Sequence, residues 1–254
     1  MFITFEGCEG TGKTTQAKLL EGRLQQNAYN VALLHEPGFT SLGKYLRNWL
    51  RDETKPKLSP EAELFLFAAA RNTLVKDVIL PLVGKPKMVV ISDRFIDSTT
   101  AYQGYGRNLN LDMIDNINKI ATGGLLPNIT FLLDAPVETG LERTLSSQLN
   151  MEIDSDLTED SRRIDESGTR KFENESDTFH SKVRNGYLEI AKTFPERIIV
   201  IDAKDDPQSI SKSIWDIVEE RFEITEQSLS NPNFEDLPLW SNPIDDSNQS
   251  KKEY

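Results

Sequence analysis

Cysteine and histidine are nearly missing from this sequence. Among 254 residues Cys8 is the only cysteine, and the two histidines, His35 and His180, lie far from it along the chain. A single cysteine excludes an intrachain disulfide, and a chain of this length buries enough apolar surface to fold without one. We therefore expect a reducing, cytoplasmic environment. Cys8 has no obvious basic partner, so we interpret it as a spacer and not as a nucleophile.

Long apolar runs and positive charge are also scarce. No segment is long and apolar enough to predict a membrane span, and the first residues lead straight into a strand pattern, which leaves no room for a signal peptide. The 29 Lys and Arg residues are outnumbered by 41 Asp and Glu, for a formal net charge of −12. Such a chain repels polyanions, so we expect neither nucleic acid nor a membrane surface as a partner.

Part of the negative charge lies in residues 223–254. This stretch has seven carboxylates against two lysines, contains three prolines and shows no sustained hydrophobic period. Such a composition rarely supports a packed core. We predict a mostly disordered acidic tail at 223–254, preceded by one folded domain at 1–222.

A glycine-rich stretch, GCEGTGKTTQ, follows the apolar run FITFE. It satisfies the pattern G-x-x-x-x-G-K-[ST], in which backbone N–H groups surround a phosphate, the lysine bridges the β- and γ-phosphate oxygens and the hydroxyl holds Mg²⁺. The pattern lies between a predicted strand and a predicted helix at 13–26, which is the context it requires. We expect ATP to bind here, at Gly7, Cys8, Glu9, Gly10, Thr11, Gly12, Lys13, Thr14 and Thr15.

Apolar runs of strand length recur along the chain and alternate with helical patterns. After the first strand they lie at 31–36, 88–93, 129–134 and 197–203. Further helices are predicted from Ser59, with Pro60 at its first position, and at 111–121, 138–144, 179–194 and 206–222. Strands that are apolar throughout and alternate with helices predict an α/β fold with a parallel sheet covered on both faces. Ligands of such folds bind at the carboxyl ends of the strands.

Polar residues follow the second and third predicted strands. Pro37 and Gly38 turn the chain after the second strand, and Arg47 lies about three helical turns further on. Asp93 and Arg94 end the third strand, where a carboxylate suits Mg²⁺ and an arginine suits phosphate. A helix-capping Asp–Arg pair is the structural alternative. A regulatory GTPase is disfavoured, because the N-K-x-D guanine motif is missing.

These motifs together resemble the bacterial thymidylate kinases over residues 1–222. The resemblance is carried by FEGCEGTGKTT, HEPG, LFLFAAARNTLV, SDRFIDSTTAYQGYGR, GGLLPNITFLLDAPVETGLER and FHSKVRNGYLEIA. It implies a P-loop NTPase fold with a five-stranded parallel sheet and a lid insertion. It also implies transfer of the γ-phosphate of ATP to dTMP with Mg²⁺, giving dTDP for dTTP synthesis, usually in a homodimer.

The resemblance assigns roles to matching residues. Lys13, Asp93 and Arg94 are implied to be catalytic. Thr14, together with the same Asp93, is implied to bind the metal. The residues implied to bind the acceptor nucleotide are Glu9, Glu36, Arg47, Phe67, Arg71, Arg94, Ser98, Thr99, Tyr102 and Gln103.

Within the acceptor set, the implied roles differ. Phe67 is implied to stack on thymine, Arg71 to donate to a thymine carbonyl, and Tyr102 to crowd the 2′ position of the sugar. Arg47 and Arg94 are implied to clamp the dTMP phosphate, and Glu9 to lie near the 3′-hydroxyl and the metal. For Phe67 and Tyr102, packing in the core is the structural alternative.

The lid region, residues 145–174, departs from the family pattern. It is longer and more acidic than in many relatives, and Lys171 stands where an arginine is usual. The phosphate loop has no arginine of its own, so the lid must supply the cation that neutralises charge during transfer. The candidates are Arg162, Arg163, Arg170 and Lys171, among which we predict Arg163 or Arg170.

Two other functions remain open at this stage. Another nucleoside or nucleoside monophosphate kinase would keep the phosphate loop, although a nucleoside acceptor would not need the two arginines of the clamp. A non-catalytic nucleotide-binding protein would bind ATP without turnover.

Overall fold

A parallel sheet of five strands forms the centre of the part of the chain that the computed structural model describes, residues 1–52, 54–153, 172 and 175–229. The strands are β1 (Phe2–Glu6), β2 (Asn30–His35), β3 (Met88–Asp93), β4 (Ile129–Asp134) and β5 (Ile198–Asp202). Their order is β2-β3-β1-β4-β5, and every neighbouring pair is parallel. All five predicted strands and the α/β fold class are confirmed.

The central strands are apolar because both of their faces are covered. Every residue of β1 is buried, and β4 is buried from Ile129 to Leu133. In the edge strand β5 only Ile198 is buried, and Val200 is 47% exposed. This difference follows from the position of β5 at the sheet edge, where less of its surface is covered.

Helices lie between the strands along the chain, and one helix follows β5. They are α1 (Lys13–Gln26), α2 (Ser41–Arg51), α3 (Pro60–Leu74), α4 (Ile96–Thr99), α5 (Leu111–Thr122), α6 (Val137–Ile153), α7 (Asp177–Thr193) and α8 (Pro207–Leu229). Two π-helical segments continue α3 and α4, at Val75–Ile79 and Thr100–Gly106.

The start of α3 is the one predicted from sequence. The Ser59 hydroxyl accepts a hydrogen bond from the Ala62 N–H at 3.2 Å, and Pro60 occupies the first helical position. Two helices run past their predicted ends, α6 to Ile153 and α8 to Leu229. Good helix formers such as Leu, Glu and Gln continue beyond the apolar pattern in both segments.

The sheet belongs to a compact unit comprising Met1–Ile214. Within the predicted tail, the residues up to Leu229 are helical, and 230–254 lie outside the described residues. The domain boundary at 222 stays a prediction. Nowhere in the described ranges is there a helix with the length and apolar character needed to cross a membrane.

Candidate active site

A cavity of about 400 Å³ opens at the carboxyl ends of β1, β2 and β3, beside the glycine-rich loop. All ten residues predicted to bind the acceptor line this cavity, together with Thr14 and Asp93. A volume of this order suits a small-molecule ligand of nucleotide size. The lining residues are Glu9, Thr14, Ala17, Lys18, Leu33, Leu34, His35, Glu36, Pro37, Phe39, Arg47, Phe67, Arg71, Asp93, Arg94, Ser98, Thr99, Tyr102, Gln103 and Phe172.

The glycines of the phosphate loop are required by its backbone. Gly7, Gly10 and Gly12 have φ angles of 139°, 67° and 89°, which side chains disfavour. A Cβ at Gly10 would collide with the backbone of Gly140 in α6. No side chain caps α1, so the N–H groups of its first turn stay available to an anion.

Lys13 lies at the start of α1 and is 7% exposed. Its Nζ donates a hydrogen bond to the Cys8 carbonyl at 2.5 Å, so the ammonium group lies directly beneath the loop. Burial lowers the pKa of Lys13 to about 8, and the nearby Arg94 charge acts in the same direction. A bound phosphate would oppose both effects by pairing with the ammonium group.

Thr14 and Asp93 are brought together from α1 and the end of β3. The Thr14 hydroxyl donates a hydrogen bond to Oδ2 of Asp93 at 2.5 Å. A hydroxyl and a carboxylate are hard oxygen ligands, and Mg²⁺ in phosphate sites typically takes only one or two protein ligands of this kind. The residues present therefore fit Mg²⁺.

Arg94 follows Asp93 in a left-handed conformation, with φ of 73°. This backbone turn directs the guanidinium toward the loop, where Nη1 donates to the Gly7 carbonyl at 3.3 Å and to the Ser98 hydroxyl at 3.2 Å. Nη2 lies 3.3 Å from Oε1 of Glu9. The guanidinium is thus fixed from several sides at the cavity wall.

Glu9 is buried, yet it is held in the charged form. Burial acts to raise its pKa, but the charges of Arg94 and Lys13 and a hydrogen bond from Tyr102 lower the pKa below its ordinary value. The Tyr102 hydroxyl donates to Oε1 of Glu9 at 2.6 Å. The other carboxylate oxygen, Oε2, has no hydrogen-bond partner and lies 3.7 Å from Nδ1 of His180.

Glu6 is a second buried carboxylate, located beneath Arg94 at the end of β1. It accepts hydrogen bonds from the Phe95 and Ser98 N–H groups, the Ser98 hydroxyl and the Tyr187 hydroxyl. Burial, assisted by the charge of Asp97, raises the pKa of Glu6 to about 7. Because Ser98 and Tyr187 in turn contact Arg94, Glu6 organises the groups around the guanidinium.

Phe67 and Arg71 lie one helical turn apart on α3, and both face the cavity. Phe65 and Leu66 are exposed and Leu64 is buried, so Phe67 is the member of this apolar run that lines the cavity. Phe67 is half-buried, with its ring centroid 6.3 Å from that of Phe172.

Arg71 is 2% exposed and is held by protein acceptors. It donates to Oε2 of Glu36 at 2.8 Å, to the Thr99 hydroxyl at 2.7 Å, to Asn118 at 3.2 Å and to the Phe95 carbonyl at 2.9 Å. Burial raises the pKa of Glu36 although the Arg71 charge opposes this, and Oε1 of Glu36 has no hydrogen-bond partner. A base at this wall would meet polar groups that are fixed in advance.

The remaining predicted residues are placed as follows. Cys8 is 7% exposed, and burial raises the pKa of its thiol to about 12, which fits a spacer and not a reactive thiol. Thr15 is exposed in the first turn of α1. The lid candidates Arg162, Arg163, Arg170 and Lys171 lie outside the described residues, but Phe172, directly after them, is buried and lines the cavity.

Sequence reasoning did not single out Glu6, Glu63, Arg107 or Tyr187. A signal existed for Glu6, because a carboxylate inside an otherwise apolar strand must find hydrogen-bond donors. Glu63 and Tyr187 are ordinary helical residues, and Arg107 directly follows the segment Thr100–Gly106. Only their distant partners distinguish these three residues.

Comparisons with known proteins place these features in one family. A family model described as thymidylate kinase matches residues 5–164. The thymidylate kinase of Citrifermentans bemidjiense is 41% identical over 222 residues, which cover 87% of this chain and 92% of the relative. That of Geotalea daltonii is 46% identical over 201 residues, covering 79% and 88%.

A solved structure gives the same result at the level of the fold. The crystal structure of thymidylate kinase from Ehrlichia chaffeensis matches with a TM-score of 0.64 and 33% sequence identity, covering 86% of this chain and 98% of that one. The P-loop NTPase fold implied by the resemblance is confirmed. The chain belongs to the thymidylate kinase family.

Proposed function

We propose that this protein transfers the γ-phosphate of ATP to dTMP, forming dTDP and ADP on the route to dTTP. The observation that carries the proposal is that Arg47, Arg94 and Phe67 line the same cavity, beside the phosphate loop. Such a cavity suits two phosphorylated ligands, because it offers a cradle for one phosphate chain, arginines for a second phosphate and an aromatic ring for a base.

The donor nucleotide is bound by the loop and the start of α1. The uncapped N–H groups of α1 and the glycine backbone surround the phosphates, and Lys13 moves from the Cys8 carbonyl to the phosphate oxygens. Thr14 and Asp93 would hold Mg²⁺, which neutralises phosphate charge when it is bound.

The acceptor phosphate is positioned by arginines. Arg94 is fixed by Gly7 and Ser98, and Arg47 lines the same cavity. Arginine suits this task because its planar fork can bind a phosphate through two hydrogen bonds. The acceptor is already anionic, so no side chain has to act as a strong base, and catalysis consists of positioning and charge stabilisation.

The base and sugar are selected by the remaining walls. Phe67 supplies a stacking surface, and Arg71, fixed by Glu36 and Thr99, faces the base. Tyr102 is 5% exposed and held by Glu9, so its ring cannot swing aside to admit a 2′-hydroxyl. The proposal includes a homodimer and a cytoplasmic location, which are supported by the family resemblance and the single cysteine respectively.

An acceptor panel tests the proposal. ADP formation from ATP·Mg²⁺ is measured with dTMP, dUMP, UMP, AMP, GMP and thymidine, for the wild-type protein and Lys13→Ala. Lys119→Ala, an exposed lysine on α5, is the matched control. The proposal expects strong preference for dTMP, lost in Lys13→Ala and kept in Lys119→Ala. Preference for thymidine or a purine monophosphate would overturn the acceptor, and ATP binding without turnover would overturn the kinase activity.

A further inference from the structure

Gln103 is buried in the wall of the cavity, with 2% of its surface exposed. Its side-chain Nε2 donates a hydrogen bond to Oε1 of Glu63 at 2.7 Å. In the described part of the chain, the side-chain oxygen of Gln103 accepts no hydrogen bond, and it is not among the fully enclosed polar atoms. The amide therefore directs its nitrogen into the protein and leaves its oxygen accessible from the cavity.

The partner of this amide is a carboxylate that pairs with an arginine. Glu63 is 6% exposed and pairs with Arg107, whose Nε lies 3.3 Å from Oε1 and whose Nη2 donates to Oε2 at 3.4 Å. Arg107 is fixed in turn by Glu175, at 2.7 Å, and by the ring of Phe179, at 4.7 Å from its centroid. The carboxylate thus has both a charge partner and a fixed position on α3.

An ionised carboxylate accepts hydrogen bonds and cannot donate them. If the Gln103 amide rotated by half a turn, its oxygen would face Glu63, and two acceptors would be in contact in a buried site. Such a contact loses a hydrogen bond and leaves buried polar atoms unsatisfied. Glu63 therefore permits only one of the two orientations of the Gln103 amide. Without Glu63, the Gln103 side chain could adopt either orientation.

We infer that Glu63 is a positioning residue that determines the hydrogen-bond polarity of the base-binding wall. By turning the Gln103 amide, Glu63 presents an acceptor to the base. Thymine and uracil carry an N3–H donor, whereas N3 of cytosine is an acceptor and would be repelled by the same oxygen. The inference rests on the proposed function, and it assigns to Glu63 and Arg107 the exclusion of dCMP.

A purely structural role for Glu63 makes a different prediction. Glu63 and Arg107 connect α3 with the segment after α4, so their loss would lower stability and slow all acceptors alike. A change in the ratio of kcat/KM for dTMP to kcat/KM for dCMP is not expected from such a role. This ratio is therefore the readout that separates the two.

The test measures kcat/KM with dTMP and with dCMP for the wild-type protein, Glu63→Gln and Glu175→Gln. A glutamine at 63 can donate as well as accept, so the Gln103 amide can turn and offer N–H groups to cytosine. We expect the dTMP-to-dCMP ratio to fall at least about tenfold in Glu63→Gln, well within the discrimination that one hydrogen-bonding group can supply. Glu175→Gln removes the other carboxylate from Arg107 without touching Gln103, and its ratio should stay within about twofold of the wild type.

Each outcome has one meaning. An unchanged ratio in a folded Glu63→Gln overturns the inference. If that variant does not fold, Glu63→Met replaces it, because it also removes the carboxylate that turns the Gln103 amide, while Arg107 keeps Glu175: a ratio reduced tenfold supports the inference, and an unchanged ratio overturns it. Absence of dTMP turnover in the wild-type protein would instead refute the proposed function, whatever the variants do.

Discussion

Nη2 of Arg94 lies 3.3 Å from Oε1 of Glu9, across the space between the phosphate loop and the end of β3. The same carboxylate oxygen accepts a hydrogen bond from Tyr102 at 2.6 Å. Arg94 is therefore neutralised by a carboxylate on one side and faces the cavity on the other. This relationship joins the donor site to the acceptor site through two side chains.

Replacing Arg94 with lysine should damage acceptor binding and turnover more than stability. A lysine keeps the charge, but its single ammonium group cannot contact Gly7, Ser98 and a phosphate in the geometry of the guanidinium. We expect kcat/KM for dTMP to fall about 100-fold, a loss of about 2.7 kcal/mol in transition-state stabilisation, while KM for ATP changes little. Steady-state kinetics measure both constants.

Arg23→Lys, near the end of α1, is the matched control for the same exchange outside the cavity. Its kcat/KM should equal that of the wild type. If Arg94→Lys also retained kcat/KM within about threefold, the guanidinium would not be the phosphate clamp.

The buried Glu6 should make stability depend on pH. Burial raises its pKa from the ordinary 4.5 to about 7 in the folded protein, so between pH 4.5 and pH 7 the folded state holds a proton more readily than the unfolded chain does. Folding stability contributed by this group is therefore present below pH 4.5 and is lost as the pH rises through 7. Glu6→Gln should show a shallower decline in the free energy of unfolding across this window, measured by chemical denaturation.

Glu189→Gln, on the surface of α7 and paired with Lys192, controls for the loss of a carboxylate. Its pH profile should follow the wild type. Parallel profiles for Glu6→Gln and the wild type would show that Glu6 does not titrate in this range.

ATP binding should take up a proton near pH 8.5. Burial lowers the pKa of Lys13 to about 8, so more than half of the ammonium groups are neutral at that pH before binding. Phosphate oxygens favour the charged form, so binding should return the proton. Titration calorimetry in two buffers of different ionisation enthalpy measures the uptake, which should approach zero at pH 6.5 and disappear in Lys13→Gln. An uptake of zero at pH 8.5 would contradict a lysine–phosphate contact.

The lid cation can be found by single substitutions. We predict that alanine at Arg163 or Arg170 lowers kcat more than tenfold, because the loop supplies no arginine to stabilise charge during transfer. Arg162→Ala and Lys171→Ala complete the set. If all four variants kept kcat within about threefold, less than 1 kcal/mol each, the lid would not contribute a catalytic cation.

The fold was largely predictable because its signals are local. Each strand is an apolar run bounded by turn residues, and the start of α3 is marked by Ser59 and Pro60. The phosphate loop was equally predictable, since each fixed position of its pattern has a physical task. The π-helical segment Thr100–Gly106 could not be predicted, because seven residues are too few to show a hydrophobic periodicity that differs from that of an α-helix.

Many residues that line the cavity were predicted as site residues, but the contacts among the cavity residues were not predicted. Spacing and resemblance predicted that Phe67, Arg71 and Gln103 bind the same ligand, and all three line one cavity in the structure. They did not reveal that Glu63 holds Gln103, because the two residues lie 40 positions apart and neither stands in an unusual local context. The same holds for Tyr187, which reaches Glu6 across 181 positions. Contacts of this kind depend on the packing of the whole domain.

The most direct measurement is the identity of the labelled product when the protein is incubated with γ-³²P-labelled ATP, Mg²⁺ and dTMP. We expect labelled dTDP, formed at a rate that Lys13→Ala reduces by at least about 1,000-fold and Lys119→Ala leaves unchanged. Label appearing only as inorganic phosphate, or transferred to thymidine in preference to dTMP, would contradict this expectation.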